Sequence, residues 1–138
     1  MIVVDASVIY KWLVSENMQS DLAAKKILAD FKLEKLSIIV PDILLYELAN
    51  ALTSKTTTSL VDIKKLWQRF AAYKLPIFSP AIDFITKSID FSRKYKVSVY
   101  DATYAVLALE NKCNLITADD KFADQINLPF VKKLSSIF

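Results

Sequence analysis

The sequence predicts an α/β fold, a three-layer α/β/α sandwich around a mostly parallel sheet of about five strands. Short apolar segments, typical of strands buried on both faces, alternate with longer segments whose apolar residues recur at helical spacing. Parallel strands need crossover connections, and the helical segments supply them. The length of 138 residues, with 54% hydrophobic and 24% charged residues, fits one compact domain over residues 1–138.

The N-terminal half begins with two strand–helix units. Ile2–Val4 is a short apolar strand, and SVIYKWLV starts a helix. An amphipathic segment then runs over Gln19–Leu36, followed by a second strand, Ser37–Val40. The sequence PDILLYELANAL predicts a helix with Pro41 in its first turn, where proline removes no needed donor. KTTTS after it indicates a loop.

The C-terminal half continues the alternation of strands and helices. The predicted elements are a helix over Leu60–Tyr73, a strand over Leu75–Phe78, helices over Ala81–Tyr95 and Ser98–Asn111, and a strand over Asn114–Thr117. A short helix follows this last strand. The sequence PFVKKL near the C-terminus is a candidate fifth strand.

Two residue types are missing, and their absence excludes whole classes of site. Without glycine the chain has no Walker loop and no GxGxxG turn, because those motifs need backbone that approaches phosphate without a side chain. Without histidine it lacks the commonest general base and zinc ligand, so Ser-His-Asp, Cys-His and HExxH sites are excluded. Any catalysis has to use carboxylates, hydroxyls, lysines or a bound metal.

The bulk features predict a cytoplasmic protein. No apolar segment approaches the length of a membrane span, and the N-terminus lacks the pattern of a signal peptide. The lone Cys113 fits a reducing compartment, as a small buried hydrophobe. A net charge of +3 favours an anionic partner only weakly.

Two acidic residues follow predicted strands. Asp5 comes directly after the first strand, and Asp119 follows Asn114–Thr117 with only Ala118 between. Ligands of parallel α/β sheets bind beyond the carboxyl ends of the strands, so both side chains should reach the same edge. Each could instead cap the helix after it, and for either acid alone that interpretation is the stronger one.

Two further acids lie on helix faces that should be buried. Glu47 falls on the apolar side of PDILLYELANAL, where an acid is uncommon unless it is paired, binds metal or extends from the margin of the face. Asp101 follows Ser98 at the spacing of a capping box. Its face continues with Ala105 and Ala108, which are small enough to pack close to the sheet. Both acids are thus compatible with the pocket of Asp5.

Four carboxylates in one pocket would require a cation. At about 5 Å and an effective dielectric constant of about 20, each ionised pair costs roughly 3 kcal/mol. Ligand sets made only of oxygen select Mg²⁺ or Mn²⁺ over zinc or copper. Such an ion acts as a Lewis acid and lowers the pKa of bound water, which would compensate for the missing histidine.

Four segments resemble, in order and spacing, the acidic motifs of PIN-domain ribonucleases, in particular VapC-type toxins of prokaryotic toxin-antitoxin pairs. They are MIVVDASVIYKWL, PDILLYELANAL, YDATYAVLALE and LITADDKF, and the resemblance covers nearly the whole chain. It implies a PIN-like fold and an endonuclease that cleaves single-stranded or loop RNA with metal-activated water. The implied catalytic and metal-binding residues are Asp5, Glu47, Asp101 and Asp119, with Mg²⁺ or Mn²⁺ as cofactor.

The resemblance also bears on individual positions and on partners. Asp5 and Asp101 are the implied direct ligands, and in TADD the family pattern favours Asp119 over Asp120. Ser7 and Thr117 resemble hydroxyl residues that line the family's pocket and orient water or phosphate, although helix capping explains them equally well. The implied partners are an RNA substrate, a small VapB-like antitoxin and a second copy of the chain in a homodimer.

Alternatives from other classes remain. A non-catalytic PIN-like scaffold that binds RNA or protein is disfavoured by the presence of all four acids. A receiver-type magnesium-binding domain needs an aspartate after its third strand, which here is LPIFSP. A haloacid-type phosphatase needs D-x-D after the first strand, where this chain has Asp5-Ala6-Ser7.

Overall fold

The computed structural model describes residues 1–137. In these residues the chain forms one parallel sheet covered by helices. The strands are β1 (Ile2–Val4), β2 (Ile38–Pro41), β3 (Ile77–Phe78), β4 (Asn114–Thr117) and β5 (Val131–Lys133). The helices are α1 (Ala6–Leu13), α2 (Met18–Lys32), α3 (Ile43–Ser54), α4 (Leu60–Ala72), α5 (Ile82–Tyr95), α6 (Val99–Glu110) and α7 (Asp120–Ile126). A short 3₁₀ helix, Leu134–Ser136, follows β5. The predicted fold class, including the fifth strand, is confirmed. The predicted single domain of residues 1–138 includes Phe138, which lies outside the described residues.

The strand order is β3-β2-β1-β4-β5, and every neighbouring pair is parallel. The chain builds outwards from β1 through β2 to β3, and then returns to the other side of β1 with β4. The strand order therefore reverses between β1 and β4, where Val4 pairs with Ile116. In open α/β sheets the ligand crevice lies beyond the carboxyl ends of the strands at such a reversal.

Both faces of the central strand are buried. Val3 and Val4 point to opposite faces of the sheet, and both are fully inaccessible to solvent. On one side, α6 packs against β1, β2 and β4. Its alanines, among them the fully buried Ala105 and Ala108, let the helix approach the strands closely, as the sequence predicted. This packing brings the first turn of α6 to the carboxyl edge of the sheet.

Several element boundaries differ from the sequence prediction, most of them by one or two residues. Pro41 ends β2 opposite Phe78 instead of starting α3, which begins at Ile43. Proline is accepted at this strand end because the next residue, Asp42, supplies the N–H that bonds the Phe78 carbonyl at 2.9 Å. The third strand contains only Ile77–Phe78, since Pro76 brings no donor to the ladder. The amphipathic segment that was predicted to reach residue 36 ends as a helix at residue 32.

Residues other than glycine adopt the left-handed backbone conformation in this chain. Among residues 1–137, five take a positive φ near 50–57°, most of them just after a helix: Glu34, Lys74, Lys96, Lys112 and Asn127. For residues other than glycine this conformation is costly, and asparagine tolerates it best. The absence of glycine thus leaves local strain at the ends of helices.

Candidate active site

A cleft of about 460 Å³ opens at the carboxyl edge of the sheet, at the reversal between β1 and β4. All four acids singled out in the sequence line it: Asp5, Glu47, Asp101 and Asp119. They come from the end of β1, the second turn of α3, the first turn of α6 and the turn after β4. The fold therefore brings together carboxylates that are up to 114 positions apart in the chain (119 − 5).

Asp5 serves as a helix cap and lines the cleft at the same time. Its Oδ1 accepts hydrogen bonds from the backbone N–H groups of Ser7 at 3.1 Å and Val8 at 3.4 Å, which caps α1. Its side chain is almost inaccessible, with the residue 8% exposed. The capping and functional interpretations of Asp5 are therefore compatible, because Oδ1 carries the cap.

Two hydroxyl groups join the turn after β1 to the turn after β4. The Ser7 hydroxyl donates to Asp5 Oδ1 and accepts the backbone N–H of Ala118 at 2.9 Å. It also lies 3.4 Å from Thr117 Oγ1, which accepts the N–H of Asp119 at 3.0 Å. Ser7 lines the cleft, whereas Thr117 is fully buried and is not part of the lining. In this structure Thr117 positions its neighbours.

Glu47 is held by a residue that the sequence analysis did not single out. The Tyr104 hydroxyl donates to Glu47 Oε1 at 2.7 Å, and Tyr104 is 1% exposed. A sequence signal for Tyr104 exists, because it lies three residues after Asp101 and so shares its helix face. A buried tyrosine hydroxyl also needs a polar partner.

Asp101 and Asp119 complete the lining. The Ser98 hydroxyl accepts the N–H of Asp101 at 3.0 Å, so the predicted cap of α6 is present and leaves the Asp101 carboxylate free to face the cleft. Asp119 Oδ1 accepts the N–H of Phe122 at 3.0 Å and caps α7. Asp120 is the first residue of that helix and does not line the cleft.

Burial raises the pKa values of three of the four acids. Burial raises the pKa of Asp5 to about 6, although hydrogen bonds from Ser7 and Thr117 act in the opposite direction. The pKa of Glu47 is raised by burial and, less strongly, by the negative charge of Asp101. The pKa of Asp101 is raised by burial, with a smaller contribution from Asp119. The carboxylates are thus held in an environment that disfavours their charge unless a cation is near.

The donor set fits a hard cation in its chemistry. Carboxylate and hydroxyl oxygens surround one cleft, and oxygen ligands are those that Mg²⁺ and Mn²⁺ prefer. Within residues 1–137, no three histidine, cysteine, aspartate or glutamate side chains come close enough together to hold a metal ion. A cation bound between ionised carboxylates would offset their mutual repulsion, which is roughly 3 kcal/mol per pair at about 5 Å.

Two lysines, which the sequence analysis did not assign to the site, line the same cleft. Lys11 Nζ lies 3.6 Å from Glu16 Oε1 and 4.0 Å from Asp21 Oδ1. Lys55, at the C-terminus of α3, places its ammonium 5.6 Å from the centre of the Tyr10 ring. Lys11 follows Ser7 by one helical turn, a spacing that would have indicated a shared face.

Comparison with known proteins identifies a family. A model of the PIN domain matches residues 2–126. No curated protein matches the sequence. Among solved structures, a toxin-antitoxin complex from Klebsiella pneumoniae is similar with a TM-score of 0.68 and 18% identity, covering 97% of this chain and 98% of that one. FitAcB from Neisseria gonorrhoeae is similar with a TM-score of 0.67 and 15% identity, covering 99% and 100%.

A third similar structure is VapC20 of Mycobacterium tuberculosis, a sarcin-ricin loop cleaving toxin. Its TM-score is 0.69 at 14% identity, with coverage of 90% of this chain and 94% of that one. At these identities the likeness concerns the fold. Separately, none of the helices within residues 1–137 combines the length and apolar character that crossing a membrane requires.

Proposed function

The chain belongs to the PIN domain family, and on this premise we propose that it is a metal-dependent endoribonuclease acting on single-stranded or loop RNA. The observation that carries the proposal is the convergence of Asp5, Glu47, Asp101 and Asp119 on one cleft at the strand reversal. Nothing in the packing of a PIN-like scaffold requires four acids to share one hollow, where burial raises the pKa values of Asp5, Glu47 and Asp101.

The cation is proposed to be Mg²⁺ or Mn²⁺. Asp5 and Asp101 would hold it directly, and Glu47 would complete or orient the site. Asp119 would bind a second metal ion or hold a water molecule of the site. When bound, such an ion stabilises negative charge on a phosphoryl oxygen and makes water a better nucleophile at neutral pH.

The remaining residues position these groups. Tyr104 fixes one oxygen of Glu47, and the Ser7 hydroxyl, anchored by the N–H of Ala118, is directed at Asp5. Ser7 lines the cleft and would orient water or a phosphate oxygen, and Thr117 would act beneath it by holding the turn before Asp119. Each of these contacts limits the rotamers of an acid, which is how a protein prepares a site before substrate arrives.

The biological setting is proposed by analogy. Similar structures include a toxin-antitoxin complex from Klebsiella pneumoniae and a toxin that cleaves the sarcin-ricin loop. By extension, this chain would be the toxin of a VapBC-type pair, homodimeric, cytoplasmic and silenced by a small VapB-like antitoxin. Its basic excess of three charges favours an RNA substrate only weakly.

The receiver alternative does not fit the observed topology. Receiver domains have the flavodoxin-like strand order 2-1-3-4-5, whereas this sheet has the order 3-2-1-4-5. The scaffold alternative is kept, because a PIN-like domain that binds RNA without cutting it would have the same fold.

The test is RNA cleavage with and without divalent ions. Purified protein should cut single-stranded RNA in Mg²⁺ or Mn²⁺, and chelation should abolish the activity. Asp101→Asn should remove cleavage while the unfolding transition stays cooperative, since the Ser98 cap of α6 uses the backbone of residue 101. RNA binding without cleavage across several metals would instead establish the scaffold function.

A further inference from the structure

The lining of the cleft includes a lysine, Lys55, as well as the four acids. Glu47, Asn50 and Lys55 all line the cleft. Glu47 and Asn50 lie three residues apart on α3, and Lys55 is the residue that follows the last residue of this helix. Along the helix axis, Asn50 and Lys55 lie roughly 4.5 Å and 12 Å beyond Glu47, from the rise of about 1.5 Å per residue. A bound RNA strand would therefore place a neighbouring nucleotide near Asn50 and Lys55, and not the phosphate group that the four acids would contact.

Lys55 is positioned without being neutralised. Its ammonium lies 5.6 Å from the centre of the Tyr10 ring, and a cation–π contact keeps the full positive charge. Within residues 1–137 Lys55 forms no salt bridge. Lys11 differs, because Glu16 and Asp21 both face it and offset its charge.

We infer that Lys55 and Asn50 form a phosphate subsite for the nucleotide next to the cleaved bond. A phosphodiester is repelled by the four carboxylates as long as no cation accompanies it. The Lys55 end offers a cation and an amide donor, which are common contacts of phosphate oxygens. The choice of RNA as the ligand of this subsite rests on the proposed function. The contribution of the subsite to RNA binding, however, needs no divalent ion.

The subsite is tested by equilibrium binding in a chelator, where metal-dependent cleavage does not occur. The probe is a fluorescein-labelled oligouridine, followed by anisotropy between about 50 and 200 mM salt. One lost phosphate contact reduces the salt slope of log K by about 0.7 for a single strand. Lys55→Met should therefore make the fall in affinity over this range about threefold smaller. Lys55→Arg should restore it, and Asn50→Ala should weaken binding without changing the slope.

Lys35→Met is the matched control. Lys35 is exposed and precedes β2, at the opposite edge of the sheet from the cleft, so its removal should leave slope and affinity unchanged. An unchanged slope in Lys55→Met, an equal loss in Lys35→Met, or no salt-dependent binding by the unmodified chain would overturn the subsite. If binding depends on Lys55 but the chain does not cleave RNA in Mg²⁺ or Mn²⁺, the nuclease proposal fails and the subsite stands.

Discussion

The Tyr104 hydroxyl, on α6, donates a hydrogen bond of 2.7 Å to Glu47 Oε1, on α3. Burial raises the pKa of Tyr104, and the negative charges of Glu47 and Asp5 raise it further. The phenol therefore remains protonated and a donor at any pH at which the protein would be assayed. The contact links α6 to α3 and holds one Glu47 oxygen in place.

Removal of this hydroxyl should affect activity and stability together. In Tyr104→Phe, Glu47 loses its donor in a half-buried position, so we expect unfolding to be easier by about 1–3 kcal/mol. Cleavage should fall by about 10- to 100-fold, the usual effect of losing an outer partner of a metal ligand. Urea unfolding and initial cleavage rates measure the two effects. Tyr100→Phe is the control, because Tyr100 is exposed on the same helix. Full activity in Tyr104→Phe would show that the contact does not orient Glu47.

Substitutions of Asp119 and Asp120 should have clearly different effects on the rate of RNA cleavage. Asp119 lines the cleft, whereas Asp120 does not. We expect Asp119→Asn to reduce cleavage by about 10-fold or more while keeping most of the cap of α7, because asparagine caps nearly as well as aspartate. Asp120→Asn should leave the cleavage rate within about twofold of the original chain. The reverse pattern would assign the fourth acid to Asp120.

Stability without metal should depend on pH through Asp5. Burial raises its pKa from the ordinary value of 3.8 to about 6, so between these values the folded state binds more protons than the unfolded chain. The free energy of unfolding should therefore fall as pH rises through this window, by about 3 kcal/mol. Urea unfolding from about pH 4 to 7 in a chelator measures this change. Asp5→Asn keeps the cap and should have a flatter profile. Parallel profiles for the two proteins would exclude Asp5 as the source.

Glycine should stabilise one of the left-handed helix ends. Lys96 ends α5 with φ 57° and ψ 44°, a conformation that costs a residue with a Cβ roughly 1 kcal/mol. Lys96→Gly should raise the free energy of unfolding by about 0.5–1 kcal/mol, with part of the gain offset by greater freedom of the unfolded chain. Lys94→Gly removes the same charge inside the same helix and should instead destabilise by about 1 kcal/mol. Equal effects of the two substitutions would rule out backbone strain.

The sequence was sufficient to predict those features of the fold and of the site that a local pattern of residues determines. Asp5 and Asp119 could be placed at one edge of the sheet because each follows an apolar strand of a parallel sheet. The small residues Ala105 and Ala108 predicted that α6 packs close to the sheet. The fold class followed from the same alternation. These features depend on periodicity and on chain direction, which a single sequence displays.

The remaining features depend on contacts between distant segments. Nothing near Tyr104 in the chain indicates that its partner is Glu47, 57 positions away, and nothing near Lys55 indicates the Tyr10 ring. Pro41 was misplaced because the strand and helix patterns meet there, and the pairing of Pro41 with Phe78 in β3 decided in favour of the strand.

The two edge strands of the sheet influence how this chain can bind other protein chains. One outermost strand, β3, has only two residues and is flanked by Pro76 and Pro80, and the other, β5, carries Lys132 and Lys133. Brevity, proline and charge all discourage the addition of a foreign strand. Any partner, whether a second copy or an inhibitor, should therefore dock on helical surfaces, and its binding should leave the number of paired strands unchanged.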